Sequence, residues 1–297
     1  MNTSKLKIAF AFLAVLIIWS TTPLAIQWSS QGAPITSALA RMIIGVLFCF
    51  ASLGLMSSKL PMDAASRKVY VVGGLSIFSA MSLFYMAAQL IPSGWVAVLF
   101  GLSPLATGIF SAMVEPESRL TPSRIIGLLL GFSGLYMVFS AGLNVQDASV
   151  NGVILVVIAL IISSATSVIT RQLVKPLSIS GMQITTGSIL VAIPFFMLAA
   201  WLTEPVFHGF SGKALLSILY LGVIGSGVGF TMYYFLLKHT SANRVALTTL
   251  ITPICALSLG SWLNNEPIVA EVWLGAGLVC IGLLLYEFKP KLGLRKL

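Results

Sequence analysis

The chain alternates between long stretches without a charged side chain and short polar intervals. Residues 8–40, 69–114, 176–203, 214–237 and 245–265 contain no Asp, Glu, Lys or Arg. A bilayer core about 30 Å thick is crossed by about 20 apolar residues in helical form. These stretches therefore predict membrane-spanning helices, and the longest, 69–114, must hold two. Pro92-Ser93-Gly94 near its middle is a turn signal, which makes the stretch a tight helical hairpin. The same reasoning predicts ten spans, about 7–28, 34–57, 69–90, 93–114, 123–141, 150–171, 179–202, 213–237, 241–263 and 269–287, with no interval long enough for a soluble domain. Lipid also admits closed β-barrels. Barrel strands alternate apolar and polar positions over about ten residues, whereas the run from Val153 to Ile162 is apolar throughout. Helices win.

Composition sharpens the picture. Of 297 residues, 58% are hydrophobic and 8% charged, against about one quarter charged in soluble domains. That excludes a soluble enzyme, a secreted module and a disordered regulator. The net charge of +9 could suggest an acidic partner, but its distribution reads as topology. With the N-terminus cytoplasmic, all but two of the 17 basic residues fall in cytoplasmic segments, the exceptions being Lys213 outside and Arg41 within a span. The positive-inside rule then puts both termini in the cytoplasm and leaves no nucleic-acid surface. Lys5 and Lys7 ahead of the first span resemble a signal peptide, but the apolar run exceeds the usual 7–15 residues of a signal core, so it is read as an uncleaved helix. Cys49, Cys255 and Cys280 all fall in spans and are expected to be packing residues rather than metal or redox ligands.

The chain also repeats itself. Residues 84–117 overlay 233–266 at a constant offset of 149, matching Tyr85 to Tyr234, Val96-Ala97 to Val245-Ala246, Pro104 to Pro253 and Glu117 to Glu266. Beyond the glutamates Gly127 pairs with Gly275 and Gly134 with Gly282, and upstream Pro34 pairs with Pro176 and Arg41 with Gln183. Five spans per half is an odd number, so the second half must enter the membrane inverted. Inverted repeats recur in secondary transporters, with substrate held near the midplane between the halves. The expected fold class is thus an all-α membrane protein of ten transmembrane helices in two inverted five-helix repeats, residues 1–142 and 150–297.

These features resemble the drug/metabolite transporter superfamily, specifically its ten-helix exporters built from two EamA domains. The matching residues are Ile18-Trp19-Ser20, Pro34 followed by Arg41, Val96-Ala97 through Pro104, Glu117-Ser-Arg-Leu-Thr-Pro-Ser-Arg-Ile-Ile-Gly127, and, in the second half, Pro253 and Glu266 through Gly275. One departure is that Trp19-Ser20 is answered in the sixth span by Ser163-Ser164. The resemblance covers essentially the whole chain. It implies carriage of small metabolites, often amino acids or related compounds, by alternating access across the plasma membrane of a bacterium, with export the expected direction. The expected partners are a small-molecule substrate and the bilayer, with room for a coupling ion and a homodimer, and with no cofactor.

Arg41 is the sharpest candidate for substrate contact, because an ionisable group inside a span is a functional-site hypothesis by default and its planar fork suits carboxylate or phosphate. Two plainer roles compete: snorkelling to an interface about 10 Å away, and bracing backbone carbonyls at helix ends. Trp19, Tyr85, Gln183 and Tyr234 are further candidates to line a cavity, tyrosine offering a flat apolar face and one hydroxyl; Phe84, Gln89 and Tyr233 share the pattern. Trp95, Trp201, Trp262 and Trp273 lie near span ends and fit an interfacial belt. Pro104 and Pro253 interrupt equivalent spans and are candidate hinges, since paired interruptions point to a transporter's central site. Gly127-Leu-Leu-Leu-Gly131 and Gly225-Ser-Gly-Val-Gly229 fit close helix packing better than a phosphate loop or a serine nucleophile. No span carries a central Asp or Glu, so no carboxylate proton relay is legible, and nothing here supplies ATP drive or a catalytic pair. Three other readings stay open: a carrier of phosphorylated or nucleotide-linked sugars, which would need several basic residues in its cavity; an intramembrane enzyme; and a scaffold without a polar centre.

Overall fold

In the computed structural model the described residues are 3–30, 32–114, 121–143, 150–204, 209–241, 245, 252–266 and 268–287. Among them every regular element is helical. In order they are α1 (Thr3–Ser29), α2 (Pro34–Leu55), α3 (Ala64–Ala87), α4 (Ser93–Phe100), α5 (Ser103–Val114), α6 (Pro122–Leu143), α7 (Val150–Val174), α8 (Gly181–Thr203), α9 (Gly212–Tyr220), α10 (Gly229–His239), α11 (Thr252–Asn264) and α12 (Ala270–Glu287). A π-helical stretch, Leu221–Val228, joins α9 to α10 without a break. Among the described residues seven segments are long and apolar enough to cross a bilayer: Leu6–Ser29, Pro34–Leu55, Ala64–Ala87, Ser93–Val114, Val150–Val174, Gly181–Thr203 and Gly212–His239. Shorter apolar helices cover Pro122–Val138 and Ala270–Tyr286. Most of the N-terminal half of the predicted ninth span, and Glu117, lie outside the described residues.

Helix ends differ from the hydropathy runs for a physical reason. The third run predicts a start at 69, but α3 begins at Ala64 because Asp63 caps it, accepting from the amides of Ala65 at 3.1 Å and Ser66 at 3.0 Å. A capped polar first turn carrying Arg67 and Lys68 is helix that hydropathy does not register. Ser180 and Gln183 form a reciprocal capping box at the start of α8. Glu204, just past α8, accepts from the amides of Ile35 and Thr36 at 2.8 Å each, satisfying first-turn donors of α2 that have no partner within the helix.

The predicted fourth span is a broken helix. Backbone bonding shifts at Gly101 and Leu102, and Pro104 falls at the second residue of α5. There its missing N–H costs nothing. Across from this break, a Cβ on Gly101 would come within 2.8 Å of the Pro253 ring.

The outward faces are apolar, with Leu47, Phe132, Leu274, Trp201 and Trp262 exposed, as lipid-facing surfaces require. Trp95 does not join them: it is buried in the core with α11 and α12 side chains, so position near a span end does not make it an interfacial anchor. Helix contacts come in matching pairs. α3 packs on α7 and α10 on α1; α3 packs on α8 and α2 on the π stretch; α5 packs on α7 and α11 on α1. α6 packs on α12, α2 on α8 and α4 on α11. The α6–α12 seam is closest, because Gly134 faces the Gly275 carbonyl and Gly275 faces that of Gly134, while Gly127 and Gly282 do the same. Small residues let apolar helices approach this closely without side chains intervening.

Candidate functional site

A central cavity opens between α1, α3, α4 and α10, and encloses about 980 Å³ of non-protein space, its open mouth included. Helical spacing accounts for its walls. Trp19, Thr22, Pro23 and Ile26 line it from one face of α1, and Ser76, Ile77, Ala80, Met81 and Phe84 from one face of α3. Val96, Ala97 and Phe100 come from α4, Phe230, Tyr233 and Tyr234 from α10, and Ser163 and Thr252 from α7 and α11. The walls are mostly apolar and aromatic, as in many small-molecule sites. Arg41 of α2 is the one charged residue among them.

Arg41 is 1% exposed. Its Nε donates to Ser226 Oγ at 2.8 Å, and its Nη1 reaches only the thioether of Met81 at 3.7 Å, a weak acceptor. The guanidinium also stands 5.9 Å from the Phe230 ring centre. Ser226 belongs to the π stretch, and Gly225 beside it leaves room for Nη2, where a Cβ would come within 3.2 Å. A π-helical stretch is rare and often marks a functional site; here it seats Ser226 and Gly225 against the arginine. No carboxylate contacts Arg41 among the described residues. Asp63 and Glu204 cap helices, and Glu266 accepts from Ser93 Oγ at 2.7 Å, Asn264 at 3.1 Å and the Gly94 amide at 3.3 Å.

Aromatic rings form the floor. Trp19 lies 5.6 Å from Tyr233 and 6.3 Å from Phe100, Tyr233 lies 5.2 Å from Tyr234, and Phe100 meets Phe84 edge-on at 4.9 Å. Below them is a second cavity of about 320 Å³ that shares Trp19, Phe100, Ser163 and Tyr233 and adds Ser103, Thr107, Ser164 and Ser167. One turn further along α7 and α10 lies a recess lined by Arg171, Lys175, Lys238 and His239. The aromatic layer thus separates the large cavity from a hydroxyl-lined space that leads toward basic residues.

Of the residues singled out in the sequence, Trp19, Arg41 and Tyr234 meet at the large cavity, together with Phe84 and Tyr233. Gly73 makes room for Ser188 and Tyr234: an added Cβ would strike the Ser188 hydroxyl first and come within 2.9 Å of the Tyr234 hydroxyl. Tyr85, its counterpart in the repeat, is wholly buried in the hydrophobic core and does not line the cavity. Gln183 lies outside the cavity as well, donating from its capping box to the Lys59 carbonyl at 2.7 Å and to Ser58 at 3.2 Å. Gln89 donates to Ser30 at 2.6 Å. Sequence reasoning missed Ser226, Phe100, Phe230 and Thr22. Ser226 sits in a run read as a packing motif, which it also is: a Cβ on Gly227 would strike the Phe48 ring, and one on Gly222 would strike Ile44. No spacing pattern joins it to Arg41, 185 residues away. Among the described residues no three His, Cys, Asp or Glu side chains gather as metal ligands.

The family model described as the EamA-like transporter family matches residues 6–140 and 150–288. A protein named "Uncharacterized transporter YoaV" from Bacillus subtilis is 24% identical over 95% of this chain and 97% of its own length. "Uncharacterized inner membrane transporter YedA" from Escherichia coli is 26% identical over 94% of this chain and 92% of its own length. "Protein PecM" from Dickeya dadantii is 26% identical over 93% and 92%. A solved crystal structure with 20% identity superposes with a TM-score of 0.73 over 94% of this chain and 97% of the other, a likeness of fold.

Proposed function

The chain belongs to the EamA-like transporter family, and from that premise we propose that it exports small metabolites bearing an anionic group, amino acids and related compounds being the class the family resemblance suggests. The protein is a multi-pass membrane transporter and not an enzyme; substrate, direction and mechanism are our reading. One observation carries it. Arg41 is a buried cation at the wall of the central cavity, with no carboxylate partner among the described residues. A charge buried without a partner is costly, and an anionic substrate group would supply the partner.

The carrier is composed of two inverted five-helix halves, residues 1–142 and 150–297, around this cavity. The paired helix contacts support that arrangement, because exchanging each helix for its counterpart in the other half turns one member of a pair into the other. The reciprocal glycine contacts of α6 and α12 behave alike. Substrate binds against Arg41, Trp19 and Tyr234. Rocking of the halves opens the aromatic layer, with Pro104 and Pro253, the latter packed against Gly101, as hinges. Both termini are cytoplasmic in this scheme, and the protein sits in a bacterial inner membrane, the location that the name of one relative states. A carrier for phosphorylated or nucleotide-linked sugars is less well supported, since Arg41 is the only basic residue among the described ones lining the cavity.

The test is flux in reconstituted vesicles. A comparison of metabolites in cells with and without the protein identifies the cargo. Arg41→Ala and Arg41→Lys should then lower its flux while the protein still folds, and unchanged flux in both would overturn the anion contact. Single cysteines at Gly212, an exposed position with nothing within 4 Å of an added Cβ, and at Lys291 test the topology, only the former reacting from outside.

A further inference from the structure

Resting on the carrier reading above, we propose that the central cavity selects amphipathic organic monoanions, a single carboxylate on a flat apolar body, and makes no provision for the ammonium group of an amino acid. Arg41 fixes one positive charge in the wall. Among the described residues its Nε donates to Ser226 at 2.8 Å, Nη1 has only the Met81 sulfur at 3.7 Å, and Nη2 donates no hydrogen bond. The two terminal nitrogens are the prongs that grip a carboxylate through parallel bonds, and Gly225 keeps the space beside Nη2 clear of a side chain.

Nothing balances a second positive charge. The chain has eight acidic residues, and none of those with described side chains, Asp63, Glu204, Glu266 and Glu271, lines the cavity. Glu266, a buried acid beside the start of α4, is already engaged by Ser93, Gly94 and Asn264. An ammonium entering this space would leave water, find no counter-charge and share a low-dielectric cavity with a guanidinium, and each of these disfavours it. The aromatic walls of Trp19, Phe100, Phe230 and Tyr233 suit a flat apolar body. They could also hold an ammonium over a ring face, which gives the test its opposing outcome.

Three compounds with closely matched phenyl skeletons separate these cases: 3-phenylpropanoate carries only the carboxylate, phenethylamine only the ammonium, and phenylalanine both. Calorimetric binding to the purified full chain in detergent should show 3-phenylpropanoate held about tenfold or more tighter than phenylalanine, with phenethylamine not held at all. Arg41→Gln should weaken 3-phenylpropanoate by about tenfold or more; if that variant does not fold, the wild-type series decides alone. Phenylalanine bound as tightly as 3-phenylpropanoate, saturable binding of phenethylamine, or no saturable binding of any of the three overturns the proposal. The carrier reading is judged apart from it. A changed metabolite profile in cells expressing the protein, with phenylalanine preferred in vitro, overturns only the monoanion assignment; an unchanged profile overturns the carrier reading.

Discussion

Replacing Gly275 by alanine tests the α6–α12 seam, and the structure sets the size of the effect. The added Cβ would lie 2.7 Å from a Val138 methyl and 2.8 Å from the Gly134 carbonyl oxygen. Gly134→Ala is the mirror change, with its Cβ 2.5 Å from the Gly275 carbonyl oxygen and 3.0 Å from the Val279 amide nitrogen. Ordinary contact needs roughly 3.4 Å, and backbone cannot swing aside as a side chain can, so the helices must part by about 0.5–0.9 Å. A gap of that size forfeits roughly a quarter to a half of each contact's attraction along the seam, and overpacking of this kind typically costs about 1–3 kcal/mol. The control lies two residues away. Gly277 on the same helix has nothing within 4 Å of an added Cβ, so Gly277→Ala should gain about 0.5–1 kcal/mol from helix propensity. Thermal unfolding in detergent, at about 2–4 °C per kcal/mol, should therefore lower the midpoint for Gly275→Ala and Gly134→Ala and hold or raise it for Gly277→Ala. The double variant Gly134→Ala with Gly275→Ala should cost less than the sum, because one separation relieves both clashes. Equal midpoints for the 275 and 277 variants, or strict additivity in the double, would refute the reasoning.

Three further outcomes follow from the caps. Glu266→Gln places an amide against the Gly94 N–H and Ser93 hydroxyl that the carboxylate now receives; a stability loss of about 1–3 kcal/mol is expected, read as a lowered melting midpoint. Glu204→Ala frees the amides of Ile35 and Thr36 and should cost about 0.5–2 kcal/mol in the same assay, with faster hydrogen exchange confined to the first turn of α2. Asp63 is held below the usual carboxylate range, chiefly by the Ser66 hydroxyl and then by the amides around it. Its contribution is thus complete above the ordinary aspartate pKa and lost as pH falls through the lowered value. Asp63→Asn should therefore flatten the acid limb of a stability-versus-pH profile and leave the neutral region nearly level.

Much of the site is visible in the chain only in fragments. Arg41 stands out because charge is rare in these spans, and Trp19 and Tyr234 because aromatic residues are bulky wherever they fall. That two tyrosines matched by the repeat part company, Tyr234 to the cavity and Tyr85 to the core, depends on the different neighbours each half presents to them. Gln183 carries an amide that suits a ligand as well as a helix cap, and here it serves the cap. Trp95 reads as an interfacial anchor by position, yet α11 and α12 cover it.

Hydropathy alone determines that this protein is helical and lives in lipid, because a backbone without water must satisfy its own hydrogen bonds and a run of about 20 apolar residues does so only as helix. The glycine spacings, the paired prolines and the repeat are equally local, written in residues close along the chain or at a fixed offset. Which side chains share a cavity is not local. The bond from Arg41 to Ser226, the missing carboxylate partner and the aromatic layer of Trp19, Phe100 and Tyr233 arise from helices far apart in sequence, brought together by packing of apolar faces that are nearly alike all round. In a chain this uniformly hydrophobic, amphipathic patterning says little about which face turns inward, so only the assembled bundle decides where the buried Arg41 points.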